Sequence, residues 1–234
     1  MDIFDSLIKD TLNVLDNYSM VPLDEKAAPW DILDKNIYLF DKETAFELGG
    51  YPKESVNMLI QSSNSFLNGF YVIGDEKLIN KEKHLSFGKI VLLKIKDIES
   101  DKIYDFTQDV LLKDAKSHFK DVMTRASSKH YYINYKVSKN ALKQGFSFAS
   151  IAQAIKKQFM QIDAVEDVSV VFIVGDSNIY KELLPIVEKA KEVTLTLNHI
   201  FDGVDMDCHA CNMNDICNEV QGLRKLHKEL NKKN

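Results

Sequence analysis

The sequence predicts an α/β fold in which helices cover a mixed sheet, with α+β as the alternative. Strand patterns dominate residues 37–98, and strand and helix patterns alternate between residues 106 and 193. Residues 168–174 are rich in β-branched apolar side chains, which is typical of a central strand buried on both faces. A chain of 234 residues, 45% of them hydrophobic, is long enough to bury the core of such a fold.

The first half begins with a predicted helix over residues 2–17, because its apolar residues fall on one stripe at helical spacing. A loop with Pro22, Pro29 and Trp30 follows it. Predicted strands then occupy residues 37–40, 45–48, 56–61, 70–73 and 89–98. The Gly49-Gly50-Tyr51-Pro52 segment predicts a turn between two of them.

The second half begins with a predicted helix over residues 106–124. Its expected buried face is Leu112, Ala115, Phe119 and Val122. A strand at 131–137, a short helix capped by Ser138, a helix at 148–162 and the strand at 168–174 follow. A further helix is expected over 178–193, and Pro185 should kink or split it. The last predicted helix spans residues 215–230.

These elements predict three segments: an N-terminal helix and linker (1–34), an α/β domain (35–200) and a cysteine-containing helical tail (201–234). The net charge is −5, and the chain has only two arginines, Arg125 and Arg224. A nucleic-acid-binding face is therefore not expected. No stretch looks able to span a membrane, and the N-terminus lacks the pattern of a signal peptide, so we expect a cytoplasmic protein.

All three cysteines, Cys208, Cys211 and Cys217, lie in the segment DCHACNMNDIC. In a reducing compartment such a cluster indicates metal or redox chemistry rather than disulfides. A thiolate at the start of the tail helix would be favoured by the positive end of the helix dipole, so Cys217 can join the Cys208–Cys211 pair. The spacing predicts a metal site held by these three thiolates.

A fourth ligand is not evident in the segment. His227 is ten residues past Cys217, which is roughly 15 Å along a continuous helix and too far to share one ion. His209, Asp205 and Asp207 are the better candidates, and His209 is taken as the fourth metal residue. Three thiolates with an open position suit a four-iron four-sulfur cluster, and three thiolates with His209 suit structural zinc. Three ordinary thiols are the remaining alternative.

Three segments stand out: FELGGYPKESVNMLI (46–60), FGKIVLLKI (87–95) and YYINYKVSKNALKQGFSFASIAQAIKKQFMQIDAVEDVSVVFIVGD (131–176). They resemble segments of acetyl-CoA synthase, the β subunit of the carbon monoxide dehydrogenase/acetyl-CoA synthase complex. The Cys208-x-x-Cys211 pair then falls where the metal-cluster domain of that family begins. The resemblance extends over about residues 35–217 and implies the fold of the family's middle domain with the start of its metal domain.

The chain also departs from that family. A fourth cubane cysteine and the Cys-x-Cys of the nickel centres are both missing from this shorter sequence. The expected function is therefore an iron–sulfur protein with an accessory or electron-transfer role in anaerobic one-carbon metabolism, and whether it is an enzyme is left open. The alternatives are a partial synthase subunit that is active only with a partner, and a zinc-stabilised binding module.

Two kinds of partner are expected, one from the charge of the tail and one from the resemblance. The tail after Cys217 carries five Lys or Arg residues and two Glu residues, which would suit an acidic ferredoxin. A carbon monoxide dehydrogenase subunit is the partner that the resemblance implies. His84, His118, His130 and His199 are scattered along the chain and are expected to be structural rather than metal ligands.

Overall fold

A computed structural model describes residues 4–63, 67–98, 102–127, 130–201 and Ile216. The elements in chain order are α1 (Asp5–Asp16), β1 (Met20–Pro22), β2 (Ile32–Leu33), β3 (Thr44–Gly49), β4 (Ser55–Ser62), β5 (Phe70–Gly74), a 3-10 helix (Glu76–Asn80), β6 (His84–Leu85), β7 (Phe87–Ile95), α2 (Ile103–Ala115), β8 (His118–Phe119), β9 (Val122–Ser127), β10 (Tyr132–Ser138), α3 (Lys139–Lys143), α4 (Phe148–Phe159), β11 (Val165–Val174) and α5 (Ile179–Phe201).

These elements fall into two compact units. Asp16–Tyr180 form the larger unit, and Met1–Leu15 with Lys181–Asn234 are grouped in the smaller one. Both sheets belong to the larger unit, and the combination of mixed sheets with helices confirms the predicted α/β class.

The first sheet of the larger unit has five strands in the order β1-β5-β11-β7-β4. Its central strand is β11, which runs parallel to β5 and antiparallel to β7. Residues 168–174 of this strand are all buried, as the run of β-branched residues predicts. The carboxyl ends of β5 and β11 therefore meet at one edge of the sheet, beside the starts of β7 and β4.

The second sheet has six strands in the order β2-β8-β9-β10-β3-β6. It is antiparallel except for the short β3–β6 pairing. Alternate residues of β10, namely Ile133, Tyr135 and Val137, are buried in the core that the two sheets share. Asn134 and Ser138 of the same strand are buried as well, so the second face of β10 is partly covered.

Helix α4 packs its apolar stripe into the same core. Ser147 caps the helix, because its hydroxyl oxygen accepts a hydrogen bond from the amide of Ser150. The ring of Phe148 lies 4.8 Å from that of Phe172 in β11 and 5.7 Å from that of Phe87 in β7. These aromatic contacts fix the helix against the central strands.

The strand predicted at residues 37–40 is wrong. The chain there has no strand partner, and local hydrogen bonds fold it toward β3 instead: the amide of Phe40 donates to the carboxylate of Glu43, and its carbonyl accepts from the amide of Thr44. The rings of Tyr38 and Phe40 contact each other edge to face and are exposed. The apolar run at residues 37–40 therefore includes a surface aromatic pair.

The helix predicted over residues 106–124 is also wrong in its length and in its face. Helix α2 ends at Ala115, and β8 and β9 take the residues that follow. Leu112 is 53% exposed, whereas Asp114 is buried. The helix turns its Phe106–Val110–Asp114 face inward because Asp114 has a buried partner, which hydrophobicity alone does not reveal.

Helix α5 is longer than predicted. It starts close to the expected residue but continues to Phe201, and Pro185 lies inside it without interrupting it. Beyond residue 193 the helix contains Thr194 and Thr196, whose hydroxyls donate to the carbonyls of Ala190 and Glu192 one turn earlier. Among the helices in the described part of the chain, none combines the length and the apolarity needed to cross a bilayer.

Candidate functional site

The predicted metal residues Cys208, Cys211, Cys217 and His209 all lie outside the described residues, as do Asp205, Asp207 and His227. The metal site therefore stays a prediction. Within residues 4–63, 67–98, 102–127 and 130–201, no group of three His, Cys, Asp or Glu side chains is placed to hold a metal ion.

One residue of the cysteine segment is described. Ile216, which directly precedes Cys217 in the sequence, has helical backbone and is partly buried. It packs against a small apolar cluster formed by Leu7 of α1 with Val193 and Ile200 of α5. These residues all belong to the smaller unit. Ile216 therefore makes an apolar contact with the α1–α5 helix pair.

The larger unit presents a second group of polar side chains at the edge where β5 and β11 end. A Gly-Asp pair lies at the end of each strand: Gly74, the last residue of β5, with Asp75, and Gly175-Asp176 directly after β11. Asp75 accepts a hydrogen bond from the amide of Lys77 and so caps the 3-10 helix. The carboxyl ends of neighbouring parallel strands are where open α/β sheets commonly bind ligands.

Asp176 is the centre of a polar network at this edge. Its Oδ1 accepts a hydrogen bond from the hydroxyl of Ser86 at 2.7 Å, and its Oδ2 lies 3.2 Å from the ammonium nitrogen of Lys53. The hydrogen bonds from Ser86 and Lys53, together with the positive charge of Lys53, hold the pKa of Asp176 below its ordinary value. The carboxylate is therefore ionised at neutral pH while remaining 70% exposed.

Tyr180, in the first turn of α5, lies at the same edge of the sheet. Its hydroxyl donates to the carbonyl of Ile173 at 3.2 Å. Burial raises the pKa of this phenol, and the negative charges of Glu54 and Asp176 raise it further. Tyr180 is therefore a neutral hydrogen-bond donor with no acidic role near neutral pH.

A cavity of about 330 Å³ opens beside this network. Its walls include the apolar side chains of Val21, Ile73 and Val174 and the polar side chains of Ser19 and Asp176. This volume is at the lower end of the range for ligand pockets, roughly 300–1,000 Å³. The Asp176 carboxylate at this cavity can accept hydrogen bonds from hydroxyl or amino donors.

A buried ion pair lies in the core of the larger unit. The ammonium of Lys89 in β7 is 2.7 Å from Asp114 in α2, and the two side chains are 2% and 3% exposed. Burial alone would lower the pKa of Lys89, but the adjacent Asp114 carboxylate outweighs it, so the pKa is raised. The phenol of Tyr135, whose pKa burial raises, interacts electrostatically with both partners.

The described histidines occupy separate places. His84 Nε2 donates to the carbonyl of Gly49 at 2.8 Å, and the side-chain amide of Asn134 donates to the same oxygen. His118 lies in β8, where burial lowers its pKa, and His130 is exposed. The ring of His84 therefore has a hydrogen-bond partner on β3.

Sequence reasoning missed both the Asp176 network and the Lys89–Asp114 pair. The signal for the first was the Gly-Asp pair repeated after two apolar strands. The signal for the second was a lysine near the start of the apolar run FGKIVLL, where a buried charge requires a partner. Neither a scan against models of known protein families nor a search of curated proteins finds a match to this chain.

Proposed function

We propose that Cys208, Cys211 and Cys217 hold an iron–sulfur cluster and that the protein has an accessory or electron-transfer role in carbon monoxide and acetyl-CoA metabolism. The observation that carries the proposal is the Cys-x2-Cys-x5-Cys spacing, which contains every thiol of the chain. Clustered thiolates in a reducing compartment select iron–sulfur clusters or zinc. The metabolic setting rests on the resemblance of residues 46–60, 87–95 and 131–176 to acetyl-CoA synthase.

The donor set fits a four-iron four-sulfur cluster that has one position free for another ligand. Three thiolates come from this segment, and His209, Asp205, Asp207 or an external ligand can take the fourth position. A bound cluster supplies one-electron transfer. The residues of the chain hold it and govern its access to solvent, both of which tune the potential of such clusters.

The attachment of Ile216 supports this proposal. A metal segment needs a fixed base so that its ligands can be oriented together. Ile216 supplies an apolar contact next to Cys217, on the cluster that contains Leu7 and Val193. Ile216, the residue before Cys217 in the sequence, therefore has a contact with this helix pair.

The proposed partner is an acidic electron carrier such as a ferredoxin, or a carbon monoxide dehydrogenase subunit. Five basic residues follow Cys217, and complementary charge would steer an acidic partner toward the cluster. The proposed compartment is the cytoplasm, where thiols stay reduced.

The test is a metal and sulfide analysis of the full chain purified without oxygen. Iron, acid-labile sulfide, zinc and nickel are measured for the wild type and for Cys208→Ser, Cys211→Ser and Cys217→Ser. Asn212→Ser is the matched control, because it changes the same segment and leaves every thiol in place. The proposal expects about four irons with matching sulfide in the wild type and the control, and loss of both in each cysteine variant.

Other results would contradict the proposal in distinguishable ways. A colourless protein with one zinc per chain, lost in the cysteine variants, would show the zinc-stabilised module instead. A wild-type protein that retains neither iron nor zinc would show that the three thiols are not metal ligands.

A further inference from the structure

The cavity of about 330 Å³ beside Asp176 lies where three strands of the first sheet meet. The parallel strands β5 and β11 end side by side there, and β1 begins next to the end of β5 because the two strands are antiparallel. Every residue that lines the cavity belongs to the larger unit. The cavity is therefore formed within one compact part of the chain.

The walls of the cavity combine apolar surface, hydroxyl groups and one charge. Ile73 and Val174 are buried and contribute apolar side chains. Ser19 and Ser177 contribute hydroxyls, which can both donate and accept hydrogen bonds. Asp176 is the one charged side chain among the described residues that line the cavity. Such a site suits a small molecule with an apolar body and its polar groups grouped near Asp176.

The carboxylate of Asp176 is held in place and still has room for further donors. The buried hydroxyl of Ser86 donates to Oδ1, and the ammonium of Lys53 lies within 3.4 Å of both oxygens. Ser86 is itself fixed, because its hydroxyl accepts from the amide of Glu54. An ionised carboxylate has about four acceptor positions, so these two donors leave some of them to a ligand.

The charges around Asp176 favour a neutral ligand over a cation. The ammonium of Lys53 already balances the charge of the carboxylate and would repel a second cation at the same oxygens. A hydroxyl donor gains the strength of a hydrogen bond to an ionised acceptor without that repulsion. Carboxylates placed beyond the ends of parallel strands bind sugar hydroxyls in this way in other α/β folds.

We propose that this cavity binds a neutral small molecule with two adjacent hydroxyls on a carbon ring, as in a monosaccharide, and that Asp176 accepts a hydrogen bond from both. The ring carbons contact Ile73 and Val174, and the hydroxyls of Ser19 and Ser177 bond to the remaining polar groups of the ligand. The site uses no residue of the cysteine segment, so it goes beyond the proposed metal chemistry, and the two proposals can fail separately.

The experiment is an NMR titration of the full chain with four probes. Methyl riboside and the cis isomer of cyclohexanediol have two adjacent hydroxyls, cyclohexanol has one, and cyclohexylamine has a cationic amine in its place. The signals followed are the carboxyl carbon of Asp176 and the methyl groups of Val21 and Val174, which line the cavity. We expect saturable shifts with the riboside and the diol, and binding of cyclohexanol and cyclohexylamine that is weaker by about tenfold or more.

Two substitutions test the site by different means. Asp176→Asn removes the ionised acceptor and should weaken riboside binding about 10- to 100-fold. Val21→Trp should also weaken it at least tenfold, because Val21 lines the cavity and is 50% exposed, so the larger ring can occupy the space of the ligand. Asp75→Asn is the matched control. Asp75 lies at the end of the neighbouring strand but accepts from the amide of Lys77, which asparagine can also do, so binding should change less than about twofold.

Three results would overturn the proposal. Tighter binding of cyclohexylamine than of the diol would show a site for cations. Unchanged signals with the riboside and the diol at saturating concentrations would show that the cavity takes no such ligand. Equal riboside affinity of Asp176→Asn and the wild type would show that Asp176 is not the acceptor. Circular dichroism checks the folding of each variant, and if Asp176→Asn does not fold, the ranking of the probes and Val21→Trp still decide the question.

Discussion

Lys89 and Asp114 form an ion pair of 2.7 Å in which both side chains are almost completely buried. The pair joins the second half of α2 to β7. It explains why Asp114 rather than Leu112 faces inward, because a buried ammonium is costly unless a carboxylate neutralises it.

Asp114→Asn should therefore lower the free energy of unfolding by about 3–5 kcal/mol, because it leaves the charge of Lys89 buried without its counter-ion. Urea unfolding measures the change. The control is Asp31→Asn, which removes an exposed pair with Lys120 and should cost at most about 1 kcal/mol. Equal effects of the two substitutions would show that the buried pair is not formed.

The phenol oxygen of Tyr135 is buried without a hydrogen-bond partner among the described residues. Tyr135→Phe should stabilise the protein by about 1 kcal/mol, because a buried polar group that lacks a partner costs free energy. Tyr180 is the matched comparison, since its hydroxyl donates to Ile173. Tyr180→Phe should cost about 1 kcal/mol in the same thermal or urea unfolding experiment. A loss of stability in Tyr135→Phe would show that the phenol does have a partner.

The depressed pKa of Asp176 predicts a pH dependence at acid pH. Because the folded pKa lies below the unfolded value of about 3.9, the network contributes stability above that pH. This contribution is lost as the pH falls through the folded pKa. Ser86→Ala should raise the pKa of Asp176 toward its ordinary value, and Lys53→Met should raise it as well. NMR titration of the Asp176 carboxyl carbon measures its pKa in both variants. An unchanged pKa in Ser86→Ala would contradict the network.

Two glycines both have positive φ but differ in how closely other atoms approach the position of an added Cβ. Gly74 ends β5 with φ +100°, and a Cβ there would lie 2.1 Å from the carbonyl oxygen of Val174. Gly145 has φ +85° and nothing within 4 Å of its Cβ position. Gly145→Ala should cost about 1–2 kcal/mol for the left-handed backbone alone, and Gly74→Ala about 3 kcal/mol or more. If the two substitutions lower the free energy of unfolding in urea by similar amounts, the backbone at Val174 must move to make room for the added methyl group.

The sequence predicts well those elements whose apolar pattern is explained by burial alone. Helix α4 and strand β11 are of this kind, because α4 buries one apolar stripe and residues 168–174 of β11 are all buried. Residues 37–40 and helix α2 differ. Tyr38 and Phe40 are apolar but exposed. Asp114 is charged but buried, because it pairs with Lys89 of β7, which is 25 residues away in the sequence.

The candidate sites also differ in whether their residues are close together in the sequence. Cys208, Cys211 and Cys217 form a site that is predicted from local spacing alone and lies outside the described residues. The Asp176 network cannot be predicted in this way, because Lys53, Ser86 and Asp176 come together only through the order of the strands. Ile216 is similar, since it packs against a cluster that includes Leu7, which is distant in sequence.

The central claim is that the three thiolates hold a redox-active iron–sulfur cluster. The most direct test is the visible absorption and electron paramagnetic resonance of the anaerobic protein before and after reduction by dithionite. The account predicts a brown protein whose absorption bleaches on reduction and returns on reoxidation, with a paramagnetic signal in the reduced state. A metal-loaded protein whose spectra do not respond to reduction would contradict it.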